Sequence, residues 1–330
     1  MPYDRRSHGP PILSVVRTAC YAIDLHTQFR GLTRRDGLLI QGDAGWGEFS
    51  PFWDYDAPTS RPWLAAAHEA AEHGFPDPVR TRIPVNVTVP ATTPQRAYEI
   101  VTGSGGCTTA KVKVAEPGQT LAEEQARLEA VRAALGPAGK VRIDANAAWD
   151  YETARTRLPS LDRAAGGLEY AEQPCAAVAD LAALRRATDV PIAADESIRR
   201  AADPYEVARA EAADVVVVKV QPLGGVRPAL RVAEDIGLPV VVSSALETSV
   251  GIAAGLALAA ALPTLEHACG LATVHLFTDD VTDQPLLPVG GAIDVRRAEP
   301  TPERLAATAA DPQLAARWQA RLKAVAGSQL

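Results

Sequence analysis

Seven polar residues recur along the chain at a nearly constant interval. Lys113, Asp144, Glu172, Asp195, Lys219, Ser243 and His267 are separated by 31, 28, 23, 24, 24 and 24 residues. Each stands at or near the end of a short apolar run: AKVKV, KVRID, GLEYAE, PIAAD, DVVVVKV, PVVVSS and LEHAC. Three consecutive members are carboxylates, with a lysine before and after them. Charged groups in such places are costly unless they pair or bind a metal. Three clustered carboxylates repel one another and drift toward protonation without a cation. An all-oxygen triad suits a hard divalent ion, Mg²⁺ with Mn²⁺ as the alternative, because zinc would recruit His or Cys.

A lysine beside such an ion and a second lysine has its pKa pushed down and can serve as a general base. Lys113 and Lys219 are the candidate catalytic pair. Lys111 lies two residues before Lys113 and faces the same side of its strand. It is expected among the substrate-binding groups, with Asn146, Ser243 and Ser244. With the ion in place the local charge is positive, so the site attracts an anion. The chemistry that fits is removal of a proton α to a carboxylate, the cation offsetting the enediolate charge. Structural roles compete: an ion-pair network in a barrel mouth, a loop hydrogen bond for Asn146, and a helix cap for the two serines.

These residues need a scaffold that brings successive strand ends together. Eight short β-branched or apolar runs, from 83–89 to 265–269, alternate with alanine-rich helical segments such as 121–135 and 180–188. Eight parallel strands at this pitch close into a (β/α) barrel whose site lies at the carboxyl ends. An open doubly wound sheet would carry a GxGxxG loop, and the chain has none. The first 82 residues read as an α+β unit. Two antiparallel stretches, 12–25 and 37–49, are joined by a turn-rich loop over 29–36. A helix follows near 62–73 with Pro62 in its first turn. A helical tail, 302–325, is expected to pack partly on this unit.

Composition sets the bounds. The chain has 330 residues, 47% hydrophobic and 22% charged, which excludes a disordered protein. A net charge of -7 argues against a nucleic-acid partner. Cys20, Cys107, Cys175 and Cys269 form no CxxC pair, which suits a reducing compartment and argues against a zinc module or disulfide scaffold. The longest apolar stretch, 250–262, falls short of the roughly 20 residues that span a bilayer. No apolar segment follows Arg5 and Arg6. A cytoplasmic enzyme with no membrane partner is expected.

Taken in order, K-x-K (Lys111, Lys113), D-A-N (Asp144, Ala145, Asn146), E-Q-P (Glu172, Gln173, Pro174), D-E-S (Asp195, Glu196, Ser197) and Lys219 resemble the enolase superfamily, in its muconate-cycloisomerase-like branch. Within the branch, GWGEFSPF (45–52), RIDANAAW (142–149), KVQPLGG (219–225) and SSALETSVG (243–251) resemble the o-succinylbenzoate synthase family of menaquinone biosynthesis. The resemblance implies a (β/α)7β barrel over 83–289, with an α+β capping domain built from 1–82 and about 290–330. It implies a small dicarboxylate substrate, 2-succinyl-6-hydroxy-2,4-cyclohexadiene-1-carboxylate, dehydrated to 2-succinylbenzoate. Lys113 would abstract the proton and return it to the leaving hydroxyl, Mg²⁺ on Asp144, Glu172 and Asp195 would hold the enediolate, and Lys219 would oppose the charge from the other face.

Further expectations follow from the same resemblance. Glu48, Phe49, Ser50 and Phe52 belong to a capping loop over the substrate or, equally, to a turn with a buried aromatic, and 29–36 takes the position of a mobile lid. Glu196 follows a ligand and is expected to point away by strand alternation. His267 is read as structural. Alternatives on this scaffold are an N-succinylamino-acid racemase or a dipeptide epimerase; the latter usually carries D-x-D on the eighth strand, where this chain reads HACGLAT. A Schiff-base aldolase would not need the carboxylate triad, and a non-catalytic binding protein would have no use for it.

Overall fold

The computed structural model describes residues 17–199 and 203–327. The stretch 1–16, which holds the start of the expected first strand and the N-terminus read for targeting signals, lies outside them. The chain opens with β1 (Arg17–Phe29) and β2 (Leu32–Gly42), paired antiparallel. Their connection is only Arg30 and Gly31, both at positive φ (53° and 73°), the turn that matches the twist of paired strands. The loop expected over 29–36 is therefore mostly strand. Its polar residues suggested a turn, but pairing with β1 holds them extended. β3 (Gly45–Phe49) completes a three-stranded antiparallel sheet.

α1 (Ala57–His68) lies against this sheet and ends in a π turn, Glu69–His73. Asp56 caps it, accepting from the Thr59 amide at 2.9 Å, and Pro58 lies in its first turn. The helix thus starts earlier than expected and Pro62 is interior. A capping carboxylate outranked proline as the start signal.

Beyond this unit, β4 (Arg82–Pro84) and β5 (Val87–Val89) divide the run expected as one barrel strand. β4 pairs antiparallel with the late β12 (Ala292–Asp294) and ends at Pro84, which has no N–H to donate. Strand and helix then alternate. In order come α2 (Pro94–Thr102), β6 (Thr109–Lys113), α3 (Leu121–Leu135), β7 (Lys140–Asp144), α4 (Tyr151–Ala165) and β8 (Leu168–Glu172). There follow α5 (Val178–Ala187), β9 (Ile192–Ala194), the short α6 (Glu196–Arg199) and α7 (Glu206–Arg209), β10 (Val215–Val218), α8 (Val226–Ile236), β11 (Val240–Val242) and α9 (Ser249–Ala261). The seven strands from β5 to β11 form one parallel sheet in chain order. Its two edges meet through a single pair of residues: Cys269 bridges Val85 and Gly270 bridges Ser243, both parallel. The eighth strand expected at 265–269 is reduced to this bridge.

Side chains alternate across each strand, so every second residue points into the barrel. Val215 and Val217 pack inside with Tyr170, Ala193 and Val241. Val216 and Val218 face the helices as part of the main core. Register stacks the inward residues in layers. Lys111, Arg142 and Tyr170 stand side by side, and one layer up so do Lys113, Asp144 and Glu172. Arg142 lies 4.6 Å over the Tyr170 ring and binds Glu169 and Asn86, so the barrel is filled below the upper layer.

The tail is two helices, α10 (Pro302–Ala307) and α11 (Pro312–Gly327), because Asp311–Pro312 starts a new one. α11 returns to α1 and the first sheet. Its Trp318 meets Phe49 edge to face at 5.8 Å and donates to Asp36 at 2.6 Å. The first unit also caps barrel helices: Glu69 accepts from the Val226 and Arg227 amides of α8, and Glu48 from the Thr248 and Gly251 amides at the start of α9. The apolar stretch 250–262 is α9, buried on all sides. Among the described residues, no helix is long and apolar enough to cross a membrane.

Candidate active site

The carboxyl ends of the barrel strands open into a cavity of about 590 Å³, roofed by residues of the β1–β2 turn and by Phe52. β6, β7 and β8 run in register here, so Lys113, Asp144 and Glu172 arrive as direct neighbours. Asp195 follows the end of β9, and Lys219 follows the end of β10. The chain turns sharply after β7 and β8, with Asn146, Ala147 and Gln173 at positive φ (46°, 64° and 38°). Gln173 ties two of these ends together. Its side-chain oxygen accepts from the Asp195 amide at 2.8 Å, and its nitrogen donates to Ser197 at 2.7 Å.

The carboxylates are buried and each faces cations. Lys111 donates to both oxygens of Glu172 (2.9 and 2.8 Å) and lies 3.3 Å from Asp144. Lys113 donates to Asp144 at 2.5 Å and to the Asn146 side-chain oxygen Oδ1 at 2.6 Å. Asp195 accepts from Lys219 at 2.6 Å and from Arg199 at 2.9 Å. Burial raises Glu172 to about 7, with help from the negative charges of Asp144 and Asp195. Burial also opposes ionisation of Asp144 and Asp195, but the lysines around Asp144, and Arg199 with Lys219 around Asp195, hold both below the usual carboxylate range. Lys111 is raised despite its burial, by Glu172 and Asp144. Lys219 is lowered by burial and then by Arg199.

Among the described residues, no three His, Cys, Asp or Glu side chains close on one point as a ready metal cage; ammonium groups stand between the carboxylates instead. The donor set nevertheless fits a hard divalent cation. It is all oxygen, it comes from three neighbouring strand ends, and Glu172 ionises only near neutrality without more positive charge beside it.

The other expected residues divide. Asn146 lies in the cavity, linked to Lys113 and, at 3.3 Å, to Glu196. Lys111 lines the cavity with its ammonium spent on the carboxylates. Ser243 and Ser244 line it as well. Ser244 shares a hydrogen bond with Thr273 at 2.7 Å, and the cap of the next helix is Thr248, not either serine. Glu48 and Ser50 are not at the substrate side; they bond to each other at 2.8 Å in a buried network, and Phe49 packs on Trp318. Phe52 alone of that group lines the cavity. His267 precedes the closing bridge and pairs with Glu169 at 3.1 Å, beside the Arg142 layer.

Glu196 corrects the strand-alternation expectation. β9 ends at Ala194, and Glu196 starts α6, so a helical turn aims it into the cavity. It pairs with Arg199 at 2.5 Å. Arg199 was missed as well. Its signal was local: an arginine four residues after Asp195 and three after Glu196, the spacing of partners on one helix face.

Comparison with known proteins agrees with this arrangement. Residues 95–300 match the family model described as Enolase C-terminal domain-like, and residues 20–71 the model described as Enolase N-terminal domain-like. A protein of Thermobifida fusca (strain YX) named o-succinylbenzoate synthase is 62% identical over 304 residues, 92% of this chain and 94% of that protein. One of the same name from Mycobacterium ulcerans (strain Agy99) is 52% identical over 93% of each. The solved structure of a muconate lactonizing enzyme from Pseudomonas fluorescens, complexed with muconolactone, shares the fold at a TM-score of 0.76 and 20% identity, over 89% of this chain and 98% of that one. Barrel, capping unit and carboxylate-ended strands define an enolase-superfamily protein, a group whose enzymes generally use a divalent metal. The chain belongs to that superfamily and, within it, to the family of the o-succinylbenzoate synthases.

Proposed function

We propose that the protein is an o-succinylbenzoate synthase acting in menaquinone biosynthesis. It dehydrates 2-succinyl-6-hydroxy-2,4-cyclohexadiene-1-carboxylate to 2-succinylbenzoate. Beside the name shared by its relatives, one observation carries the reading: Lys113 and Lys219 stand four strands apart around a buried carboxylate cluster in a single cavity.

In this reading Lys113 takes the proton α to the ring carboxylate. Asn146 and Asp144 hold its nitrogen in place. The electron pair left on the ring expels the hydroxyl, and Lys113 returns its proton to that oxygen as water leaves. The ring becomes aromatic, which drives the step. Lys219, held by Asp195, keeps an ammonium group on the opposite side, where it faces the developing negative charge. Mg²⁺, or Mn²⁺ in its place, held by Asp144, Glu172 and Asp195, supplies positive charge for the substrate carboxylate when bound. The roof over the cavity limits water access to the carbanion-like species.

The test is an ultraviolet assay for aromatic product from the cyclohexadiene substrate. Conversion by the wild type supports the reading; its absence with Mg²⁺ supplied rejects it. Lysines on both sides of one cavity also suit racemisation of N-succinylamino acids. Rapid deuterium exchange at Cα of both enantiomers, without dehydration of the cyclohexadiene, would establish that activity instead.

A further inference from the structure

The loop between β11 and α9 forms one wall of the cavity through Ser243, Ser244, Ala245 and Leu246. Leu246 has φ of 65°, a region a branched side chain adopts only under constraint from its surroundings. Within the loop, the Ala245 amide donates to the Glu247 carboxylate at 2.8 Å across Leu246, and the Leu246 amide reaches Ser244 at 3.4 Å, but neither bond holds the Leu246 carbonyl.

The carbonyl is held from the capping sheet. Arg35 of β2, only 2% exposed, donates through Nε to the Leu246 carbonyl at 2.8 Å. Its other nitrogens bind the Ser50 and Asp36 carbonyls, and its guanidinium lies 4.5 Å from the Phe52 ring centroid. Glu48 of β3 holds the far end of the loop. One oxygen accepts from the Thr248 amide at 3.1 Å, the Thr248 hydroxyl at 2.5 Å and the Gly251 amide at 3.1 Å. The other accepts from Tyr21 at 2.7 Å and Ser50 at 2.8 Å. Two buried charged groups, neither lining the cavity, thus pin the two ends of a strained cavity wall.

We propose that Arg35 and Glu48 are positioning residues: from the capping sheet they set the Ser244–Leu246 wall against the part of the substrate distant from the reacting carbon. The inference rests on reading this cavity as the synthase site. It predicts that substrate recognition at this wall depends on Arg35 and Glu48, while proton transfer at Lys113 does not.

Arg35→Met is the test, with Arg35→Lys as the conservative variant. KM for the cyclohexadiene substrate is expected to rise about tenfold in Arg35→Met with kcat within about twofold, the pattern of lost uniform binding. Arg35→Lys, which keeps the charge but not the fork of donors, recovers part of the loss. In a Leu246→Gly background, where φ of 65° is free of strain, Arg35→Met raises KM by no more than about twofold. Hydrogen exchange of the peptide 243–252 is read in parallel and needs no activity. It accelerates about tenfold or more in Arg35→Met while other barrel peptides keep their rates. Should Arg35→Met fail to fold, Glu48→Gln carries the same measurements on the other end. Equal losses in kcat and KM, unchanged exchange in 243–252, or Arg35 effects that simply multiply with those of Leu246→Gly overturn the proposal. Inactivity of the wild type overturns only the reading of the site, and the exchange result still decides the loop.

Discussion

Three lysines share one cavity, and their surroundings separate them. Lys111 is clamped between Glu172 and Asp144 and raised by them, so it stays charged. Lys219 is lowered by burial and by Arg199. Lys113 is the most exposed of the three, at 17% of its side chain, and so can meet a substrate. Lys113→Ala is expected to lower kcat by about 10²–10⁴ in the ultraviolet assay, the usual worth of a general base. Its circular dichroism spectrum should match the wild type. Glu247 offers a separate test through pH. Burial, then the charge of Glu48, raises it to about 7. A carboxyl raised in the folded state stabilises the protein fully below its unfolded value near 4.5, and that contribution is lost as pH rises through 7. Glu247→Gln stays neutral. Its unfolding free energy should equal the wild type's below about pH 4.5 and exceed it by about 3 kcal/mol above pH 8, measured by urea titration.

At the scale of elements, the capping sheet and α1 meet so closely that one glycine decides the contact. A Cβ at Gly47 would stand 2.0 Å from the Ala67 carbonyl oxygen. Gly47→Ala is expected to cost about 1–3 kcal/mol or more, seen as a lower thermal midpoint, because β3 and α1 must move apart. Apolar runs and their spacing made β6, β7, β8 and β10 legible in the sequence, because parallel strands buried on both faces cannot be polar. Other elements were not legible. Arg34, Arg35 and Asp36 read as turn residues and lie in β2, since backbone pairing outweighs local preference. The run 83–89 looked uniform, yet it serves two sheets. Glu196 was assigned the wrong side because alternation assumes the strand continues, and here a helix starts.

For the whole molecule, a negative protein holds a cavity rich in cations. The chain carries a net charge of -7, while Lys111, Lys113, Lys219 and Arg199 all face the site. A dication among the three carboxylates would release the lysines from their pairing. Mg²⁺ at about 100 times its Kd is therefore expected to raise the unfolding free energy by about 2.7 kcal/mol, read as a thermal shift reversed by EDTA. Product formation should vanish with the same chelator. A midpoint indifferent to Mg²⁺ up to millimolar levels would remove the metal from the proposal.

The amino-acid sequence by itself determined which residue types recur, at what interval, and that they end buried strands; periodicity of apolar residues is a local property and survives in one dimension. It marked Lys113, Asp144, Glu172, Asp195 and Lys219 without their distances. Only the tertiary structure decided how these charges pair, because Lys111 and Glu172, 61 residues apart, meet only when strands come into register. It alone brought Arg35 to Leu246 across 211 residues and reduced the eighth strand to Cys269 and Gly270. Such contacts depend on packing between elements distant in the chain, which no local pattern encodes.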